Sequence, residues 1–247
     1  MLLPQFFCMK KHIPNAITCL NLFSGCVALY FAFHDNLIYT AYLVGLAAVF
    51  DFLDGMAARV LKTSSEIGKQ LDSMADMVSF GVVPGVIMFM MLSKVGLPVL
   101  GIHADVIPFF GFLITIFSAL RLAKFNLDTR QTTSFIGLPT PACTILVASL
   151  PLILENGTLL HYEIIQNYFL LLPLTVLLSY LLIAELPLFA LKFQNLSWQD
   201  NATRFIFLGL SVILLALLNF AAIPLIIALY ILLSIIKKPY THHEIYR

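Results

Sequence analysis

Read for polarity alone, the chain is a succession of long apolar runs broken at short polar intervals. A bilayer core takes about 20 apolar residues per helix, fewer where the ends snorkel. On that measure the runs predict eight spans, roughly 15–34, 37–59, 70–93, 106–124, 138–154, 168–191, 204–219 and 221–236. The breakers fall between them: His34-Asp35-Asn36, Lys94 to Asp105 with Gly96 and Pro98, Glu155-Asn156-Gly157, and Gln194 to Asn201. The boundary near Asn219 and Pro224 is the least marked, and the two short runs there also fit one bent re-entrant pair. No internal repeat, low-complexity tract or soluble domain interrupts the series. The expected fold is all-α: a polytopic helical bundle of about eight transmembrane helices, forming a single membrane domain over residues 1–247.

Composition supports the pattern. Of 247 residues, 60% are hydrophobic and 11% charged, with a mean hydropathy of +0.96. A soluble domain carries about 25% charged residues, so this chain cannot cover itself in water. Cys8, Cys19, Cys26 and Cys143 form no CxxC pair, have no His at ligand spacing, and read as small apolar residues. No cleavable signal peptide is evident, because the first apolar run passes into the second without a small-residue cleavage site.

Charge then gives the sidedness. With eight spans both ends of the chain lie on one side, and there fall Lys10, Lys11, Arg59, Lys62, Lys69, Arg121, Lys124, Arg130, Lys192, Arg204, Lys237, Lys238 and Arg247. Only Lys94, of 14 Lys and Arg, falls on the other. The positive-inside rule makes the termini cytoplasmic, in a cell membrane that the chain crosses many times.

Charges inside membrane segments are costly and mark functional sites. One stretch collects them: Asp51-x2-Asp54-Gly55-x2-Ala58-Arg59, then Gly68-x3-Asp72-x3-Asp76. Asp51 and Asp54 are three apart near the end of the second span, and Asp72 and Asp76 are four apart at the start of the third. Each pair therefore shares a helix face. The short loop makes the two helices antiparallel neighbours, so four carboxylates converge near the cytoplasmic surface. Such a cluster repels itself unless cations neutralise it, and all-oxygen ligands suit Mg²⁺, Mn²⁺ or Ca²⁺. Two such ions would clamp a phosphoryl group in transfer. Gly55 and Ala58 leave a strip free of side chains, and Arg59 and Lys62 offer donors for phosphate oxygens. The other possibility is a helix-end charge cluster with these Asp paired to Arg59, Lys62 and Lys69.

At these residues the sequence resembles the CDP-alcohol phosphotransferases, with every position of that family's signature filled and the spacing unbroken. The resemblance implies an integral membrane enzyme that moves a substituted phosphoryl group from a CDP-linked donor to an alcohol and releases CMP. It implies two divalent ions, Mg²⁺ or Mn²⁺, held by Asp51, Asp54, Asp72 and Asp76, with Asp76 as general base, and a homodimer. Further segments narrow the likeness. The first helix opens Pro14-Asn15-x2-Thr18-x2-Asn21-x3-Gly25, a polar stripe open to a nucleotide; alternatively Asn15 and Thr18 cap the helix and Asn21 bonds a neighbour. Then come Ser79-Phe80-Gly81-x2-Pro84-Gly85, Arg121-x2-Lys124-Phe125-Asn126, and Phe135-x-Gly137-Leu138-Pro139-Thr140-Pro141.

Together these are similar to the membrane-type branch that uses CDP-diacylglycerol and L-serine, over about Pro14 to Pro141, fading to Pro187-x-Phe189-x2-Lys192. Lys124 departs from the Arg usual there, keeping the charge without the fork geometry. By the likeness, Asn15, Thr18, Gly55, Ala58, Arg59 and Gly68 bind the donor. Arg121, Lys124 and Asn126 contact serine or phosphate, although positive-inside anchoring alone would satisfy Arg121 and Lys124. Glu185 either lines the cavity or pairs with Lys192. The catalytic core would span about 14–191, with a C-terminal helical pair at about 204–236. Two rival readings remain: the same fold with glycerol 3-phosphate or inositol as acceptor, and a transporter whose acidic cluster binds its cation. No nucleic-acid partner is expected.

Overall fold

The computed structural model describes residues 12–63, 65–95, 106–127, 134–157, 164–189 and 198–236. Among these lie eight main helices: α1 (His12–Phe33), α2 (Leu37–Val60), α3 (Glu66–Lys94), α4 (Ile107–Leu127), α5 (Thr140–Asn156), α6 (Tyr168–Ile183), α7 (Trp198–Leu218) and α8 (Ala222–Ile236). Two three-residue strands, β1 (Ser134–Ile136) and β2 (Pro187–Phe189), pair antiparallel with Ser134 opposite Phe189. By length and composition five stretches suffice to cross a membrane: α1, α2, α3, α4 and Asn201–Ile236; α5 and α6 are shorter and apolar. The basic residues Lys10, Lys11, Arg130, Lys192, Lys237, Lys238 and Arg247 lie outside the described residues, as does Cys8.

α1 and α2 pack through seams of small side chains. The buried positions of α1 include Pro14, Thr18, Asn21, Gly25, Ala28 and Ala32, at alternating spacings of four and three. Those of α2 are Leu37, Thr40, Ala41, Val44, Ala47 and Asp54. Small residues let helix backbones approach without a hydrophobic driving force between them. Thr40 Oγ1 donates across the interface to Ala28 O at 3.2 Å. The hairpin turns at Asp35, in the left-handed region at φ 60°, and the Asn36 side chain caps α2 by accepting Tyr39 N–H at 3.1 Å. Lys94, at the far end of α3, reaches back to Asp35 at 2.7 Å. Residues 35 and 94 thus mark one end of the bundle, opposite the α2–α3 turn.

α3 is the central helix: Val83 to Met88, Met91 and Leu92 are buried on all sides. That is expected of a helix apolar all round. Between Met77 and Val82 it relaxes into a π turn, where Val83 N–H donates to Val78 O. Large apolar side chains such as Phe23, Phe33, Phe52 and Leu217 stand on the outside, a surface suited to lipid.

Two expectations, the end of the sixth span and the place of Glu185, need correction. The sixth span ends at Ile183, eight residues early: Pro187, four residues on, has no N–H for the Ile183 carbonyl and its ring would clash with it, and the chain runs extended from Ala184 into β2. The three-residue strand pair is a local clasp in a fold that is otherwise helical, as expected. Glu185 therefore lies outside any span and is exposed. As expected, the last two runs are two separate helices, folded back on each other at Asn219 (φ 50°), with the Phe207 and Tyr230 rings 5.7 Å apart.

Candidate active site

The seam of α2 continues past Ala47 to Asp51 and Asp54, so the periodicity that packs the helix against α1 carries two carboxylates inward. Asp72 and Asp76 come from the first turns of α3. One oxygen each from Asp51, Asp72 and Asp76 lies within 4.8 Å of the others. Asp54 stands outside that trio: it is 6% exposed, and its Oδ2 has no hydrogen-bond partner. None of the four is ion-paired with Lys or Arg among the described residues, which sets aside the paired-cluster alternative. Unpaired hard oxygens at this separation fit a divalent cation, and Asp51, Asp72 and Asp76 can hold one. Asn21 Nδ2 donates to Asp76 Oδ1 at 3.3 Å, and Ser79 Oγ donates to Asn21 O at 3.1 Å, so α1 fixes the orientation of Asp76.

Beside the cluster lies a cavity of about 320 Å³, lined by Pro14, Asn15, Thr18, Asp54, Gly55, Ala58, Thr63, Ser65, Gly68, Lys69 and Asp72. Five of the six expected donor-binding positions line it. Gly55 opens onto it, since an added Cβ would meet only Arg59 Nη2, at 3.8 Å. Arg59 does not line it, because Nε folds back onto Gly55 O at 2.9 Å, one turn earlier. Thr18 is no cap: it is buried and its hydroxyl donates to Pro14 O at 3.0 Å.

Local sequence explains the cavity floor. α2 ends in a Schellman arrangement, with Lys62 left-handed at φ 50°, Thr63 N–H donating to Ala58 O and Lys62 N–H to Arg59 O. Ser65 then caps α3, its hydroxyl oxygen accepting Gly68 N–H at 3.0 Å. The first turns of α3, where unpaired N–H groups favour anions, thereby face the cavity with Lys69. Thr63, whose Oγ1 is buried without a partner, Ser65 and Lys69 were missed from sequence as site residues. Ser65-x2-Gly68 after a turn is the signal that could have found them.

Arg121, which does not line the cavity, is 7% exposed, its Nε without a hydrogen-bond partner and its guanidinium 5.8 Å from the Phe125 ring centroid. It lies within electrostatic reach of Asp76, Cys143 and Tyr230. Ser118, one turn earlier, and Thr140, at the start of α5, are also buried with unpartnered hydroxyls. Lys124 is exposed, and Asn126 donates to Ser73 Oγ at 2.9 Å; neither is drawn into the cluster.

Partly buried carboxylates that could hold a metal ion, beside a cavity at one end of an apolar helical bundle, are the class of site the fold presents. Comparison with known proteins specifies it. The profile of the CDP-alcohol phosphatidyltransferase family matches residues 11–183. Relatives named CDP-diacylglycerol–serine O-phosphatidyltransferase include one from Helicobacter pylori, 30% identical over 232 residues, covering 91% of this chain and 90% of the relative. One from Bacillus subtilis is 34% identical over 158 residues (60% of this chain, 82% of the relative), and one from Methanocaldococcus jannaschii 28% over 174 (70% and 72%). The chain belongs to the CDP-alcohol phosphatidyltransferase family and is an enzyme of phospholipid synthesis.

Proposed function

We propose that the protein transfers the phosphatidyl group of CDP-diacylglycerol to the hydroxyl of L-serine, giving phosphatidylserine and CMP. The observation that carries the chemistry is the unpaired trio Asp51, Asp72 and Asp76 opening beside the cavity of Asn15, Thr18, Gly55, Ala58 and Gly68. The shared name of the relatives supports the choice of donor and acceptor.

In this reading the cytidine lies against Gly55 and Ala58, where no side chain stands in the way. The diphosphate meets the N-terminal turns of α3 and Lys69. Asp51, Asp54, Asp72 and Asp76 would hold two divalent ions, which when bound polarise the phosphoryl oxygens and offset the diphosphate charge. Asp76, oriented by Asn21, takes the proton of the serine hydroxyl. The serine oxygen bonds to the phosphorus bearing diacylglycerol, the bond to the CMP oxygen breaks, and CMP leaves. Arg121 holds the serine carboxylate, for which its fork of donors is suited. All eight helices cross the membrane, with both termini and the site on the cytoplasmic face. The working unit is a homodimer.

The test uses membranes containing the protein, CDP-diacylglycerol, Mg²⁺ or Mn²⁺ and labelled serine. Label in lipid together with CMP release is expected, and both are lost with EDTA. Asp76→Asn should lower turnover by at least about a hundredfold, the lower range for removing a general base, while donor binding persists. CMP release with glycerol 3-phosphate or inositol but not serine would move the acceptor. A fully active Asp76→Asn protein would remove it as the base.

A further inference from the structure

Two sequence motifs of the acceptor side are held together by a part of the chain that the family profile does not reach. The segment before α5 is clasped to the end of α6 by β1 and β2, by Gly137 N–H on Leu186 O at 2.9 Å, and by Leu138 N–H on Leu181 O at 2.8 Å. Gly137 sits at φ 76°, and a Cβ there would come 2.8 Å from Leu182 O, so only glycine fits this clasp. The clasp delivers Pro139 and Thr140 to the start of α5, with Thr140 buried and its hydroxyl unpartnered.

The last hairpin closes over it. Tyr230 of α8, 9% exposed, donates its hydroxyl to Phe189 O at 2.9 Å, and its ring packs edge-on to Phe189 at 5.0 Å. Phe207 of α7 completes a small buried cluster with Leu188 and Tyr230. Tyr230 also faces Pro139 and Ala142, on either side of Thr140 and Pro141, across an apolar cavity. It lies within electrostatic reach of Arg121, whose Nε is unpartnered. Buried polar atoms without partners are rare unless a ligand or water completes them. Ser118 and Arg121 on α4 and Thr140 at the start of α5 supply three such atoms, none of them lining the donor cavity.

We propose that Tyr230 is a positioning residue for the acceptor: its hydroxyl, seated on the Phe189 carbonyl, locks the α7–α8 hairpin onto the strand pair and so fixes Thr140 and Arg121 as the acceptor wall. This rests on the phosphatidyl-transfer reading and deepens it. The family profile ends at residue 183, so α7 and α8 lie beyond the shared core. The Helicobacter pylori relative covers 91% of this chain, more than the first 183 residues, so its likeness extends into the hairpin.

The test compares the full-length protein with Tyr230→Phe, which keeps the ring and removes one hydrogen bond. The KM for serine should rise about fivefold, the scale of one lost hydrogen bond. The KM for CDP-diacylglycerol should stay close to that of the parent, and the thermal unfolding midpoint in detergent should fall by no more than one lost hydrogen bond accounts for. Phe207→Leu, which loosens the same cluster without touching the hydroxyl, should shift the serine KM in the same direction and serves if Tyr230→Phe does not purify folded. An unchanged serine KM, an equal rise in both KM values, or a lowered midpoint with both KM values intact would each overturn the proposal. If the unmodified protein uses another alcohol, the same split is read on that acceptor. No CMP release with any alcohol would overturn the transfer reading and this inference with it.

Discussion

Gly68 shows how closely single residues define the site. A Cβ added there would come 2.7 Å from Asn15 Oδ1 and 2.9 Å from Ser65 Oγ. The methyl of Gly68→Ala must therefore push the Asn15 amide into the cavity or turn the Ser65 cap away. Donor affinity should suffer more than chemistry, because Asp76 lies two helical turns further on. The expected result is a KM for CDP-diacylglycerol raised about tenfold, equivalent to about 1.4 kcal/mol, with kcat changed far less. An unchanged donor KM would show that the cavity between α1 and α3 does not receive the donor. At this scale the sequence was informative where spacing carried the chemistry. Asp72 and Asp76 share a face at their i, i+4 spacing and meet Asp51 from the antiparallel helix, and five donor positions share one cavity. It was silent where a side chain had two places to go. Arg59 chose its own helix backbone, and Asp54 lines the cavity without joining the trio.

Among the elements, α3 carries the clearest departure from regular geometry. Pro84 has no N–H, so the Phe80 carbonyl, four residues earlier, loses its α-helical donor. Thr144 Oγ1 donates to it at 2.9 Å from α5, and Thr115 Oγ1 donates to Gly81 O at 2.9 Å from α4. Three helices are thus tied at the π turn that follows Asp76. A membrane interior has no water to replace these bonds. Thr144→Val keeps the shape and strands the Phe80 carbonyl. It should cost about 1 kcal/mol in a membrane helix bundle, seen as a lower unfolding midpoint in detergent. A midpoint equal to the parent's would mean that the π turn is held without this bond. The motif Ser79-Phe80-Gly81-x2-Pro84-Gly85 was visible in the sequence, but its consequence was not. Hydropathy counts apolar residues and is blind to which carbonyl has lost its donor. The same blindness extended the sixth span past Ile183, since Leu186 to Phe189 is as apolar as a helix, but Pro187 to Phe189 pair with β1.

For the whole molecule, helix length and charge together set the depth of the site. α3 has 29 residues and is about 43 Å long, more than the roughly 30 Å hydrocarbon core. If Lys94 marks one interface, 30 Å is used up about 20 residues back, near Met74, so Asp72 and Asp76 straddle the other boundary. That depth suits a reaction between a donor anchored by acyl chains and an acceptor arriving from water. The proposed sidedness rests on Arg59, Lys62, Lys69 and Lys124 at the cluster end, against Lys94, which is paired with Asp35 at the opposite end. Single cysteines test it directly, in a background with Cys8, Cys19, Cys26 and Cys143 replaced. In intact cells a membrane-impermeant maleimide should label His34→Cys, in the exposed α1–α2 turn, and leave Lys62→Cys unlabelled until the membrane is opened. The reverse pattern would put the carboxylates outside. It would separate the site from a cytoplasmic supply of serine and overturn the proposed acceptor route even with the fold intact. Labelling of both positions in sealed cells would mean that α2 does not cross, and the cluster would then lie in no membrane boundary at all.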